Sequence, residues 1–469
     1  MPQIDIPFVG HQAQSRSSTV NAQIRVNWYL KKESGGAKAK YVLYPTPGKT
    51  LVGSVGEGPC RGNGVVFNGK NYFVSGSSLI EIDSSDNLAV IGLLKTSAGR
   101  VSMAAGFSQM CIIDGTGGYT YDGTTFGVIT DPDFPIADYV EWVDNYFIVN
   151  VRGTGKFMIS DLDDATTWAA LDFATAEKRA DNLHRPIWFR GYLLLIGENT
   201  SELYVNTANQ DFPWEASPNT VYEYGTPAPG SAATDSNAVF MLSHAINGGA
   251  NVVKIATDTP KVVSTPDIDW QISQMVNKSD AEGYVYRDLG HVFYVITFPT
   301  DGKTLVYDDT TGTWHERRSG MTRDFVSGHS YYNDRHYVGH FNNNNFYRLD
   351  NSVYTENGSV IHRIRRTPSV HKDRKKLFYN KLEVEFESGV GLTTGQGSDP
   401  QAMLRWSDDG ARTWSSELWR PIGKIGEYQC RSVWHGLGAS RDRVYELSVS
   451  DPIHAVVIKA YADVELGLS

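Results

Sequence analysis

The feature that most restricts this chain is a hairpin unit that returns again and again from about residue 61 onward. Each copy holds an apolar or alternating strand, a turn containing Gly, Asn or Asp, and a second apolar strand. A shorter third strand often follows and ends in an aromatic residue and an Asp. The first copy reads Gly64-Val-Val-Phe-Asn-Gly-Lys-Asn-Tyr-Phe-Val-Ser75, then Ser78-Leu-Ile-Glu-Ile-Asp83. Asn68-Gly69 signals a two-residue hairpin, because both central positions of that turn take positive φ. Further copies begin near Ala104, Tyr139, Pro186, Ala232, Tyr284 and Gly328, with turns at Asp144-Asn145, Arg190-Gly191 and Asn333-Asp334. Starts spaced by roughly 35 to 52 residues match one four-stranded propeller blade. Radial closure buries the open edge and the bare apolar face that a lone antiparallel sheet would leave. A stack of β-sandwiches gives similar spacing, but the recurring x-Leu/Val-Tyr-x-Asp ending favours a β-propeller of six or seven blades over 61–361. Residues 1–60 then read as an N-terminal arm with a possible blade-closing strand.

Helix signals are sparse. Asp163 to Arg179 is polar and alanine-rich and is expected to hold a helical turn or two, projecting from one blade. The propeller region ends at a charge shift. His362-Arg363-Ile364-Arg365-Arg366 and His371-Lys372-Asp373-Arg374-Lys375-Lys376 read as a basic interdomain linker over 362–376. Beyond it, Leu377 to Phe386, Ala402 to Trp406, Arg443 to Val449 and Ala455 to Tyr461 alternate with period two. That pattern predicts a C-terminal β-sandwich over 377–469 and an all-β chain overall.

Composition narrows the class. Apolar residues are 41% and charged residues 20% of 469, which excludes disorder and coiled coil. Forty-three basic against 53 acidic residues give −10, which argues against coating nucleic acid by charge but leaves room for a local basic patch. Cys60, Cys111 and Cys430 lie far apart without a C-x-x-C, so neither a disulfide framework nor a zinc site is expected. Met1 to Pro7 lacks a charged region followed by an apolar run, and no 18 apolar residues occur in a row. The expectation is a soluble chain with no membrane-spanning segment, synthesised in the cytoplasm.

Chemical motifs are few, and no catalytic, cofactor-binding or metal-ligating residue is assigned. Ser407-Asp408-Asp409-Gly410-Ala411-Arg412-Thr413-Trp414 resembles an Asp box with Ala411 where a glycine belongs. The motif is familiar from sialidase propellers, so it opens an alternative reading as a carbohydrate-binding or sialidase-like glycoside hydrolase propeller. Its residues Ser407, Asp409 and Trp414 are nevertheless expected to stabilise a turn. Gly48-Lys49-Thr50 and Gly302-Lys303-Thr304 end like a phosphate loop but lack its first glycine. His336 and His340 sit on one strand face about 13 Å apart, too far to share a metal. Arg363, Arg365, Arg366, Lys372, Arg374, Lys375 and Lys376 form a candidate strip for phosphate or an acidic partner, weighed against a solvated linker. A generic protein-interaction propeller is the blandest reading.

Several segments resemble the packaged-DNA stabilisation, or tail hub (nozzle), proteins of short-tailed bacteriophages. They are Val26-Asn27-Trp28-Tyr29-Leu30, Tyr44-Pro45-Thr46-Pro47-Gly48, Gly99-Arg100-Val101-Ser102-Met103-Ala104 and Ile159-Ser160-Asp161-Leu162-Asp163-Asp164. The C-terminal portion adds Ser407 to Ser415, Gly423-Lys424-Ile425-Gly426-Glu427-Tyr428 and Arg441-Asp442-Arg443-Val444. The resemblance implies a non-enzymatic virion tail protein that forms a homo-oligomer, a hexamer in such families. Its implied partners are the portal–adaptor ring above it and the tail needle, spike or fibre proteins below. Double-stranded DNA would pass through the ring without sequence-specific binding. No active-site residue transfers with the resemblance, and no cofactor is implied.

Overall fold

The computed structural model describes residues 3–176, 181–209, 212–244, 249–256 and 259–467. Its largest part is a β-propeller. Among the described residues seven four-stranded antiparallel sheets follow one another, each running from an inner to an outer strand. The inner strands are Val65–Phe67, Ser102–Ala105, Val140–Val143, Leu183–Phe189, Ala233–Thr234, Glu282–Asp288 and Val326–Tyr332. Each touches the next, and the seventh touches the first, so the ring is closed.

Local turn chemistry sets much of this. Asn68-Gly69, Asp144-Asn145, Arg190-Gly191 and Asn333-Asp334 all take positive φ at both positions, as two-residue hairpins require. The sixth blade uses Leu289-Gly290 in the same way, with φ 47° and 82°. Between the hairpins, strand cores such as Met110–Ile113 and Leu193 to Gly197 are buried because neighbouring blades cover both their faces.

The seventh blade takes its outer strand from far upstream. Gly48–Ser54 pairs antiparallel with Asn345–Asp350, with Tyr347 opposite Leu51 and Leu349 opposite Lys49. Lys49 is buried and lies 2.5 Å from both the Asp324 and Glu356 carboxylates. Burial alone would lower its pKa, but those two carboxylates raise it.

Residues 1–60, expected as an arm, are divided between the two domains. Trp28–Lys32 and Tyr41–Pro45 form a hairpin that joins Val457–Leu466, Leu377–Phe386 and Ser432–His435 in one sheet of the sandwich, and Gln3–Asp5 adds to Val457–Leu466. The second sandwich sheet holds Arg363–Arg366, Val444–Val449, Gln401–Ser407 and Leu418–Pro421. Trp28, Leu43, Leu382, Leu404, Trp434, Tyr445, Leu447 and Val457 fill the space between the sheets. The second sheet does not stop at the domain edge. Arg25–Val26 pairs with Arg363–Arg366 on one side and with Thr313–Ser319, the outer strand of the sixth blade, on the other. One continuous sheet therefore runs from propeller into sandwich.

Two further expectations are corrected. Residues 362–376 are not a linker, since Arg363–Arg366 is an internal strand. The insertion read as helical is the strand Asp164–Thr175, where pairing with Lys156–Asp161 overrides the local preference of its alanines; Glu177, Lys178 and Arg179 lie outside the described residues. The helix that does form, Pro266–Ser273, went unpredicted. It carries a complete start signal: the Thr265 side chain caps Ile268 N–H, Pro266 opens the first turn, and Asp267 and Asp269 follow.

Candidate functional site

The seven cations of the basic run divide into two groups. In the strand Arg363–Arg366, alternation turns Arg363 and Arg365 inward, and both are fully buried. The N-terminal segment crosses this sheet without pairing along its whole length, so its carbonyls need donors. Arg365 supplies them, with Nε 2.6 Å from the Phe8 carbonyl, Nη1 3.2 Å from that of Ile24 and Nη2 2.9 Å from Gln23 Oε1. Arg363 donates to the Asp451 carbonyl at 3.1 Å. Arg25, from the opposite strand, reaches Gly10, Thr313 and Trp314. Burial pushes Arg25 and Arg363 down to about 10 and Arg365 to about 9, so all three stay charged at neutral pH. Arg366 is half-buried, donates to Glu446 at 2.7 Å and lies over the Trp414 ring. Arg363 and Arg365 are internal struts, and for them the expectation of meeting phosphate or a partner is corrected; Arg366 is engaged by Glu446 and Trp414 at the domain surface.

Lys372, Arg374, Lys375 and Lys376 are exposed. They sit on a tight turn between Arg363–Arg366 and Leu377–Phe386. Asp373 and Arg374 take φ of 49° and 57°, and Lys375 N–H donates to the Lys372 carbonyl at 2.8 Å. Arg441 donates to the Arg374 carbonyl, also at 2.8 Å, and holds the turn in place. Sequence reasoning missed Arg412 and Arg441 as its companions, although both stand within motifs that it quoted. Together with Arg374 they line one groove of about 590 Å³.

The Asp-box-like turn forms the groove's far wall. The Asp409 carboxylate accepts from the Arg412 and Thr413 amides and from the Thr413 hydroxyl, and Ser407 Oγ accepts from Ala411 N–H. Hydrogen bonds, led by that of the Thr413 hydroxyl, hold Asp409 well below the usual carboxylate range. Ala411 takes φ 67° where the motif has glycine. The Arg366 and Arg405 guanidinium groups both lie against the Trp414 ring. The side chains that could act on a sugar are thus engaged in the turn.

Elsewhere the chemistry is structural. A cavity of about 640 Å³ opens at one mouth of the propeller axis. There Arg152 pairs with Asp138, and Asp114 accepts from Thr96, Thr116 and Tyr119. Burial opposes it, yet the Thr96 and Thr116 hydrogen bonds bring Asp114 down to about 2. Deeper in, Arg100 beside the second blade pairs with Glu282 of the sixth at 3.6 Å, a contact across the axis. Among the described residues no group of three or more His, Cys, Asp or Glu is placed to hold a metal ion. His336 Nδ1 meets His329 Nε2 at 2.9 Å. Burial pushes the Cys60 and Cys111 thiols up to about 12, far from the range of a reactive thiolate. No described helix is long and apolar enough to cross a membrane.

Comparison with solved structures finds many propellers. The WD40 domain of Neurospora crassa Pan2 is 9% identical, with 65% of this chain and 94% of that one covered at a TM-score of 0.42. Virginiamycin B lyase from Staphylococcus aureus is 8% identical, with 64% and 98% covered at 0.44. The N-terminal domain of Nup159 is 10% identical, with 70% and 98% covered at 0.41. At these levels none bears on function. No curated protein matches the sequence. Two family models do: the β-propeller of bacteriophage P22 Gp10 over residues 4–354 and its β-sandwich over 362–465. Matched in order along nearly the whole chain, they show that it belongs to the bacteriophage P22 Gp10 family, structural proteins of the virion tail that stabilise packaged DNA.

Proposed function

We propose that this chain is the subunit of a tail hub: a ring, in the favoured form a hexamer, below the portal and its adaptor. The ring extends the DNA channel, helps retain the packaged genome and anchors the needle, spikes or fibres beneath. The protein acts without catalysing a reaction and is made in the host cytoplasm before joining the virion. The observation that carries this reading is the sheet shared by the sixth blade and the sandwich through Arg25–Val26. A hub must transmit position from one ring to the next, and a sheet crossing a domain boundary resists hinge motion far better than a linker does. The Arg100–Glu282 contact across the axis adds a second point. A DNA conduit would lie between copies, since each propeller's own axis is spanned by side chains. Six copies at −10 each carry about −60, which suits a passage that does not grip phosphates overall.

Light scattering of the purified chain, alone and with a portal–adaptor complex, tests the reading. The expected result is a complex that contains six times 52.0 kDa of this chain. A chain that stays monomeric and does not bind the portal–adaptor complex would contradict it.

A further inference from the structure

Among the described residues the exposed half of the basic run is a dense cationic surface, in which Lys372 has Asp373 at 3.8 Å and Lys376 lies over the Phe378 ring. We propose that the turn Lys372, Arg374, Lys375 and Lys376, together with Arg412 and Arg441, is a sequence-independent contact for the phosphate backbone of duplex DNA. The proposal rests on the reading above that packaged DNA runs beside this subunit.

Four observations point to that ligand. First, the cations are presented rather than loose, because the turn is closed by its own backbone and clamped by Arg441. A preformed site loses less conformational freedom on binding. Second, the carboxylates of the groove are engaged from within the protein. Arg443 grips Asp408 with two bonds of 2.6 and 2.7 Å, the Asp409 carboxylate caps its own turn, and Asp442 accepts from Ser369. Those carboxylates have partners inside the protein; of the turn's exposed cations, Lys372 has the Asp373 carboxylate at 3.8 Å, and Arg374, Lys375 and Lys376 are open to solvent.

Third, the groove is lined without an aliphatic side chain or any Phe, Tyr or Trp. A protein partner held with useful affinity needs such anchors at its centre, whereas phosphate needs only cations and N–H groups. The His371 imidazole is the one ring in its lining, so the run of rings on which successive bases of a single strand stack is missing, which favours duplex. Fourth, among the described residues no helix stands here to enter a major groove, so the contact is to the backbone alone. A concentrated cationic patch on a chain of net charge −10 gives a local grip on passing DNA without coating it.

Titrating a blunt, fluorescent DNA duplex with the full chain across salt concentrations tests this. Each phosphate contact contributes about −0.9 to the slope of log affinity against log salt. The variant K375E/K376E/R412E is expected to bind about tenfold more weakly or worse, with a slope reduced by about three. The control K95E/K156E/K261E reverses three exposed propeller lysines and is expected to stay within about twofold of the wild type, so that global charge is separated from the site. No duplex binding by the wild type, or equal losses in both variants, would overturn the proposal. So would intact duplex binding combined with loss of self-association or of portal–adaptor binding, which would assign the groove to a protein partner. Ring mass is measured separately. A ring that ignores DNA overturns this inference alone, and a DNA-binding monomer overturns the hub.

Discussion

Arg363–Arg366 and Lys372 to Lys376 carry similar charge within a few residues of each other and meet opposite fates. The first is a strand that buries Arg363 and Arg365, the latter holding the crossing N-terminal segment by its carbonyls and the former the Asp451 carbonyl. The second is a turn whose cations face water. Charge density therefore does not by itself locate a surface. What separates the two is whether uncommitted acceptors lie within reach of a guanidinium fork, and whether the backbone there alternates or turns.

The largest effect expected from breaking this contrast is at Arg365. Arg365→Met leaves the Phe8 carbonyl and Gln23 Oε1 without the donor they share, while the Ile24 carbonyl keeps the Arg366 N–H at 3.0 Å, and should cost about 3 kcal/mol in urea unfolding. A loss no greater than that of a surface lysine would show that the strut is dispensable.

Next in size is a test with histidine, a cation that forms only when acid demands it. His329 is buried between the sixth and seventh blades against His336, Tyr284 and Tyr286, and burial, followed by the His336 charge, brings it down to about 3. Its folded pKa is below the unfolded value of 6.5. The unfolded chain therefore takes up the proton first, and stability falls as pH drops from 6.5 towards 3. Between pH 6.5 and 4.5 the loss should be about 2 kcal/mol, read from the urea midpoint. His329→Asn should flatten that part of the profile, and an unchanged slope would place the acid sensitivity elsewhere.

Arg366 lies between the extremes. Arg366→Ala removes one of two guanidinium groups from Glu446 and from the Trp414 ring, while Arg405 remains; about 1 kcal/mol is expected in the same measurement. The smallest change is at Lys375, where Lys375→Met should move stability by less than about 0.5 kcal/mol.

The sequence showed the propeller well because its turns are local. Asn68-Gly69 or Asn333-Asp334 can be read without knowing the fold, since the demand for positive φ falls on the very residues that meet it. The sandwich strands were legible through their period of two. What escaped depended on partners distant in sequence. The donors around Arg365 face backbone carbonyls, which leave no trace in residue identity. Asp164–Thr175 became a strand because Lys156–Asp161 was there to pair with it. The division of residues 1–60 between two domains hides in pairings hundreds of positions apart, such as that of Leu43 with Val457. For the candidate site, the turn at 372–376 was visible as charge. Arg412 and Arg441 joined it only through the fold of the sandwich.

The central claim is that propeller and sandwich form one rigid unit built to assemble around DNA. Electron microscopy of the assembled particle tests it most directly. The account predicts closed rings whose opening is bounded by several copies, each with its two domains in one fixed orientation and its own propeller axis blocked. Solitary copies, or particles whose two domains adopt many relative orientations, would contradict it.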